Sequence, residues 1–468
     1  MMRKAQDRES FYLRLPIPLQ HLACSVEGWR IQRSRFGRRF QKLLQEVEGR
    51  AFWSLEQINA YRNERLHAFV HHCYHTVPFY RRRFQVLKLA PEDIRTLDDL
   101  QKLPILTKQD VQDHYPDLVS EAVPKNQQII THTSGTTGGG LRFATTLAAN
   151  QAQWAIWWRY RRWHGLQQGT WCGSFSGRSV VPISQTRPPF WRYNYPGKQI
   201  LFSAYHMSPE NLDAYVCELR YRQPPWLHGY PSLLALVAGY MLERKIDPGY
   251  CVRWITIGAE NLLPQQAELI QQAWGVYPLQ HYGMVEAVAN ISECEHDQLH
   301  VDEDFAAVEF IPNPDGPGYK VIGTNFKNLA TPLLRYDVQD LVTLTNITCS
   351  CGRPGRVVAS VDGREEDYII LRNGARLGRM DHIFKDLVNI REAQLYQKHP
   401  GEMTIRVVRG ERYGKADETA LLNEVQKRVG SNIDMRVEYV ERLERSSAGK
   451  LRFVISDMPA GQLEHMLS

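Results

Sequence analysis

Apolar residues return every three or four positions through "FGRRFQKLLQEVEG" and "SLEQINAYRNERLHAFVHHCYHTV". That spacing predicts amphipathic helices, here peripheral ones forming an N-terminal helical extension over residues 1–70. The stretch "NQAQWAIWWRYRRWHGL" predicts another helix, with a Trp face inward and Arg outward. Its "RYRRWH" cluster also has the Arg and aromatic pairing that suits phosphates and bases. The amphipathic helix is the simpler reading, so no nucleic-acid partner is expected.

From residue 170 to 345 the period changes repeatedly. Short apolar strands such as "WITIG" and "KVIGTNF" alternate with helical stretches such as "PSLLALVAGYMLERK" and "LPQQAELIQQAWG", which is the signature of an α/β fold with crossover connections. After "SVDGREEDYIILRNG" the chain becomes more charged, and "EMTIRVVRGERY", "DETALLNEVQKRVG" and "DMRVEYVERL" read as strand, helix, strand. A domain boundary is placed near Asp362 and Gly363, separating a large domain over 71–362 from a small one over 363–468.

Composition narrows this picture only a little. The 468 residues exceed the ~100–200 of one domain, so two or more structural units are expected. A hydrophobic fraction of 43% and a charged fraction of 23% are those of a folded globular chain. The net charge of +6, from 57 basic and 51 acidic residues, favours anionic ligands weakly. No run approaches the roughly 18 apolar residues of a membrane span, and the basic start lacks an apolar core behind it. A cytoplasmic protein without membrane partner is expected, as monomer or homodimer. Eight scattered Cys suit reduced thiols or a metal site better than disulfides.

The densest chemical signal is "THTSGTTGGGLRF" at 131–143. Glycines let backbone N–H groups converge on an anion, and the hydroxyls of Thr and Ser add donors. A Walker A loop is excluded, because Leu141 and Arg142 stand where Lys and Ser or Thr are required. A surface loop and a phosphate cradle both remain open on the loop alone.

The wider text resolves this through a resemblance. "TSGTTGG" resembles the phosphate loop of the adenylate-forming superfamily, which activates carboxylic acids with ATP. "HTVPFYRRRF", "IRTLDDLQKLPILTKQDVQDHYP" and the loop follow the order of the phenylacetate-CoA ligase family, and "LHGYPSLLALVAGY" leans toward its capsular polysaccharide biosynthesis branch. The resemblance runs from about residue 70 to 455 and rests on six ordered motifs. It implies a large multi-sheet N-terminal domain and a small mobile α+β C-terminal domain joined by a hinge.

By that resemblance Thr133, Ser134, Gly135, Thr136, Thr137 and Gly138 cradle the β,γ-phosphates. Gly258, Ala259 and Glu260 would pack against adenine, and His281, Tyr282 and Gly283 precede Glu286, the Mg²⁺ ligand. Asp340 in "LLRYDVQDL" would accept the ribose hydroxyls, Arg364 would contact nucleotide, and Glu366 would be the hinge. Lys450 in "ERSSAGKLRF" would meet the carboxylate and α-phosphate. Each taken singly also reads as a helix-start acid, a loop cap or a solvated charge. Tyr230, Tyr282 and Met284 are candidates for an aromatic acid pocket, and equally for core packing. Three departures stand out: Gly139 and Gly140 replace the family's loop Lys, Gln339 replaces a Gly, and Glu366 an Asp.

"SECEHDQLHVDEDF" and "TCSCGR" add Cys294, His296, His300, Cys349 and Cys351. On spacing alone, free thiols and a zinc site stay equally open. The resemblance points to structural Zn²⁺ on Cys294, His300, Cys349 and Cys351, with His296 in reserve. The activity implied is AMP-forming acid activation with transfer to coenzyme A. Transfer to an amine or hydroxyl, and a catalytically silent binding protein of the same fold, are the alternatives.

Overall fold

The N-terminal periodicity becomes helices α1 (Ile17–Arg35), α2 (Arg38–Gly49), α3 (Leu55–Thr76) and α4 (Pro78–Leu87). Local sequence sets the ends of α3. Ser54 Oγ accepts from Gln57 N at 3.2 Å while Gln57 Oε1 accepts from Ser54 N at 2.9 Å, a reciprocal cap. Pro78 then opens α4 at a position where its missing N–H costs nothing. The structure is a computed structural model that describes residues 11–457, apart from 133–140, 177–179, 183, 208–209, 315–316, 365–368, 371, 373–375, 378–388, 430–432 and 445–450.

The chain divides into two units, one comprising Met1–Trp29, Gly169–Leu279 and Gly363–Ser468, the other Arg30–Gln168 and Gln280–Asp362. In the second unit α3 is not peripheral. Its face of Leu66, Phe69, Val70 and Cys73 is buried against Phe143, Val288, Leu334 and Tyr336, as the period of 3.6 requires of a helix with one apolar stripe. Strands β1 (Gln128–His132) and β2 (Arg142–Thr146) pair antiparallel, His132 opposite Arg142.

Helix α5 (Leu147–Trp163) differs from expectation in its Arg side chains. Trp158 is buried as expected, but so are Arg159 and Arg161. Arg159 reaches Asp302 at 2.6 Å and Asp304 at 2.8 Å, so its charge is buried because it is paired.

A seven-stranded sheet completes the second unit: β8 (His281–Gly283), β9 (Asn290–Glu293), β10 (Leu299–Val301), β11 (Ala306–Pro312), β12 (Tyr319–Asn325), β13 (Tyr336–Leu344) and β14 (Val357–Arg364). Their spatial order is β11-β12-β13-β14-β10-β9-β8.

The first unit holds β3 (Cys172–Ser176), β4 (Trp191–Asn194), β5 (Gln199–Ser203), β6 (Trp226–Gly229) and β7 (Trp254–Ile257), in the order β4-β5-β3-β6-β7. β5, β3, β6 and β7 run parallel and β4 antiparallel. Parallel neighbours need crossovers, which helices α6 (Leu212–Arg222) and α7 (Pro231–Glu243) supply, with α8 (Pro264–Trp274) after β7. Phe175, Phe202, Leu227, Leu233, Leu234 and Ile255 form its core. Each such side chain contributes ~1.5–3 kcal/mol by leaving water. The same unit's C-terminal segment contains the short pair β15 (Ile369–Ile370) and β16 (Arg376–Leu377), and a four-stranded sheet of β17 (Ile390–Gln397), β18 (Glu402–Arg409), β19 (Asp434–Tyr439) and β20 (Val454–Ser456), with α9 (Lys415–Val429). The chain is therefore a mixed α/β protein of several sheets, as its alternating periods imply.

Candidate functional site

In the first unit, Gly258, Ala259 and Glu260 follow β7 directly, at the carboxyl edge of a parallel sheet, where open α/β sheets bind their ligands. Ala259 has a φ of 68°, the left-handed region that turns the chain sharply off the strand. The Glu260 carboxylate accepts from Ser232 N at 3.3 Å, at the start of α7, and from Leu451 N at 2.7 Å. Leu451 adjoins Lys450 in sequence, so two motifs nearly 200 residues apart in the chain meet at one carboxylate. Lys450 and Glu366 lie outside the described residues, as does the side chain of Arg364.

In the second unit, Tyr282 on β8 donates its hydroxyl to Asp340 Oδ2 on β13 at 2.7 Å. That bond fixes one carboxylate oxygen of Asp340. Gln339 adopts a φ of 62°, with its N–H on Asp337 Oδ1 at 2.8 Å. This left-handed backbone explains why a glycine suits the position, and the chain holds Gln there against the Cβ penalty. Glu286 is half-buried in the turn after β8. Thr133 to Gly138, expected to cradle phosphates, lie outside the described residues, between β1 and β2 in the chain.

His281 stacks on Tyr160 at 5.1 Å and meets Trp157 edge-on at 5.2 Å. Its Nε2 and the Trp157 indole N–H both reach Asn290 Oδ1, at 3.2 and 2.9 Å. Gly283 is required beside them, since a Cβ would lie 2.8 Å from Asn290 Oδ1 and 3.0 Å from His281 Nε2. Trp157, Tyr160 and Asn290 were not singled out from the sequence. The i, i+3 spacing of the two aromatics on α5 is the one signal that could have marked them. Of the pocket candidates, Met284 packs on the core that holds Phe143 and Leu334, and Tyr230 on the core that holds Leu233.

Cys294, His300, Cys349 and Cys351 converge, with all four ligand atoms within 4.8 Å of one another. Cys294 and Cys349 Sγ are 3.7 Å apart, too far for a disulfide bond of about 2.05 Å. A tetrahedron with Zn–S of about 2.3 Å has an S···S edge of about 3.8 Å, so the separation suits a shared cation. Cys351 Sγ to His300 Nε2 is 3.4 Å, close to the mixed edge of about 3.6 Å. Backbone N–H groups of His296, Cys351 and Arg353 donate to the three sulfurs at 3.4 Å, donors that a metal-bound thiolate could use. Burial pushes the Cys294 thiol up to about 12, whereas Cys351, opposed by the same desolvation, is held below its ordinary value by the Arg353 N–H and neighbouring groups. His296 is not in the cluster, its ring bonding Ser350 Oγ at 2.8 Å.

The CapK C-terminal domain family matches residues 370–457. Protein CapK of Staphylococcus aureus is 26% identical over 96% of this chain and 99% of its own. A phenylacetate-coenzyme A ligase of Thermus thermophilus is 27% identical over 68% of this chain and 72% of its own. Among solved structures, 2-hydroxyisobutyryl-CoA ligase in the postadenylation state, in complex with R3-HIB-AMP, superposes with a TM-score of 0.67 at 18% identity, over 89% of this chain and 93% of that one. No helix among the described residues is long and apolar enough to cross a membrane. The chain is a homologue of CapK and of the phenylacetate-coenzyme A ligases, with a CapK C-terminal domain and the fold of the adenylate-forming enzymes.

Proposed function

We propose that the protein is an AMP-forming carboxylate ligase: it joins a carboxylic acid to the α-phosphate of ATP, releases pyrophosphate, and passes the acyl group to coenzyme A. The observation that carries this reading is the bond from Leu451 N to Glu260, which ties the chain just beyond Lys450 to the segment after β7. Both substrates are anions, so the step needs charge neutralisation and alignment more than a strong base. A carboxylate oxygen bonds to the α-phosphorus as the bridging oxygen of pyrophosphate leaves. Lys450 supplies one cation at the reacting oxygens. Glu286 is the residue that would hold Mg²⁺, whose charge would offset that of the phosphates. Asp340, steadied by Tyr282 at 2.7 Å, would fix the ribose, and the loop of Thr133 to Gly138 the terminal phosphates. Residues 363–468 would then turn about Glu366 to admit the second substrate, a lid-like step.

The zinc reading belongs to the same proposal. Three thiols and an imidazole within 4.8 Å of one another, two of their edges at 3.7 and 3.4 Å, would make a closed structural site, and metal analysis that finds no zinc would remove it. A cytoplasmic location is part of the same proposal.

A second acceptor is kept for one reason. The likeness to CapK covers 96% of the chain and that to a phenylacetate-coenzyme A ligase 68%, and the matched C-terminal family is that of CapK. An amine or hydroxyl acceptor would fit that difference. Pyrophosphate release across a panel of carboxylic acids, with and without coenzyme A and candidate amines, separates the readings. Lys450→Ala should abolish adenylate formation while ATP still binds; unchanged release would sink the assignment, and no release with any acid would favour a silent binding protein.

A further inference from the structure

Strand β8 (His281–Gly283) is three residues long and ends the order of its sheet, with β9 beside it. Its register puts His281 opposite Ser292, Tyr282 opposite Ile291 and Gly283 opposite Asn290. A strand about half the usual length has few ladder bonds to hold it, yet this one carries the tyrosine that meets Asp340 at 2.7 Å. Something besides the ladder must seat it.

The Asn290 side chain can do so. Because Gly283 opposite has no Cβ, the amide lies across it: Asn290 Oδ1, His281 Nε2 and Trp157 Nε1 are the three atoms nearest the point a Cβ would occupy, at 2.8, 3.0 and 3.2 Å. They also converge on one another, Oδ1 standing 2.9 Å from the indole nitrogen and 3.2 Å from the imidazole nitrogen. An indole N–H can only donate, so the oxygen of Asn290 faces it and the amino group points away. The other end agrees. Asn290 Nδ2 donates to Ser292 Oγ at 3.3 Å and to Asp302 Oδ2, and Arg159 of α5 holds the same carboxylate at 2.6 Å. Facing an oxygen that only accepts, His281 Nε2 must carry a proton, and the neutral ring keeps its lone pair on Nδ1. Tyr160 stacks on that ring with 7° between the planes, which fixes its tilt.

We propose that Asn290 is a positioning residue of the nucleotide site: it locks His281 in the Nε2–H form and ties β8 to α5, so that Tyr282 is held where it meets Asp340. What Asp340 binds rests on the ligase reading above; the lock on His281 does not. At 1% exposure Asn290 acts through these neighbours.

Two measurements on the full-length protein at pH 8 test this. One is the ring ¹⁵N and Nε2–H signals of ¹⁵N-histidine-labelled protein, with His281 assigned by their loss in His281→Gln; the other is ATP affinity by titration calorimetry. The wild type should show a single Nε2–H form whose proton is protected from solvent. Asn290→Ala should give the averaged signals of an exchanging ring and bind ATP about tenfold more weakly, the factor of one ordinary hydrogen bond. Gly283→Ala, whose Cβ would displace Oδ1, should do the same. Ile58→Ala, a buried truncation on α3, should lower the thermal midpoint and leave both readouts at wild-type values. A single protected Nε2–H form in Asn290→Ala, or unchanged ATP affinity, would overturn the role. ATP bound by neither the wild type nor any variant would overturn the ligase reading instead, and the His281 signals would still decide the lock. Should Asn290→Ala fail to fold, Gly283→Ala decides on the same two readouts.

Discussion

Around the parallel sheet of the first unit the buried side chains are Phe175, Phe190, Phe202, Leu227, Leu233 and Leu234; the second unit buries an apolar core too, but adds Arg159, Asp302, Glu303, Asp304, Glu309 and Arg335. The first unit does bury Arg192, yet on neutral oxygens, those of Gln20 at 2.6 Å, Gln185 at 2.9 Å and Pro189 at 2.8 Å, and Glu218, whose partner Arg222 at 3.3 Å is part-exposed. In the second, Arg159 holds two carboxylates and Arg50 shares one of them at 2.8 Å, while Arg62 and Arg356 both reach Glu303 at 2.7 Å. One core is non-directional and tolerates local relaxation. The other stands only while every charge keeps its partner.

Breaking the charged network gives the largest effect. Arg159→Met should leave Asp302 and Asp304 undercompensated and cost the second unit ~3–5 kcal/mol in urea unfolding. A loss below about 1 kcal/mol would mean that the two cores are alike. In the first unit, Leu234→Ala opens a cavity at a fully buried position and should cost about 3 kcal/mol in the same assay.

Acid distinguishes the first unit in another way. His21 Nδ1 accepts the Tyr193 N–H at 3.0 Å, which only an unprotonated Nδ1 can do. Burial, then Arg192 and Arg222, hold its pKa below the ordinary 6.5. The stabilisation is therefore complete above pH 6.5 and lost as pH falls through the lower folded value. Hydrogen exchange over residues 11–29, corrected for intrinsic rates, should quicken at pH 5 and not at pH 7.5. Exchange that stays unchanged would detach this helix from His21.

Smaller effects refine the contrast. Gln339→Gly should stabilise the second unit by up to about 1 kcal/mol, by relieving a φ of 62°. Arg162→Ala, only three residues from Arg159, removes a half-exposed pair with Glu48 at 2.9 Å and should cost less than about 1 kcal/mol.

Much of the fold was legible because it is local. The strands "WITIG" and "KVIGTNF" and the helix "PSLLALVAGYMLERK" follow from period and composition, and appear as β7, β12 and α7. The outward Arg face of α5 was misjudged because helical spacing says which residues share a face, not what waits opposite; Asp302 and Asp304 lie more than 140 positions away. The peripheral place expected for α3 failed likewise, since its partners Val288, Leu334 and Tyr336 come over 200 residues later. Gly258 to Glu260 in the first unit and Asp340 in the second were visible as motifs, whereas Trp157, Tyr160 and Asn290 carry no motif at all.

The sequence by itself determined the alternation of strands and helices, the order of the six motifs and which residues could ligate a soft metal. These are properties of nearest neighbours and of residue type. Only the tertiary structure decided that Tyr282 orients Asp340, that Leu451 meets Glu260, that Cys294 and His300 face Cys349 and Cys351 while His296 does not, and that Asn290 meets His281. Such pairings depend on distance in space, which the burial of many weak apolar contacts fixes collectively and no short stretch encodes alone.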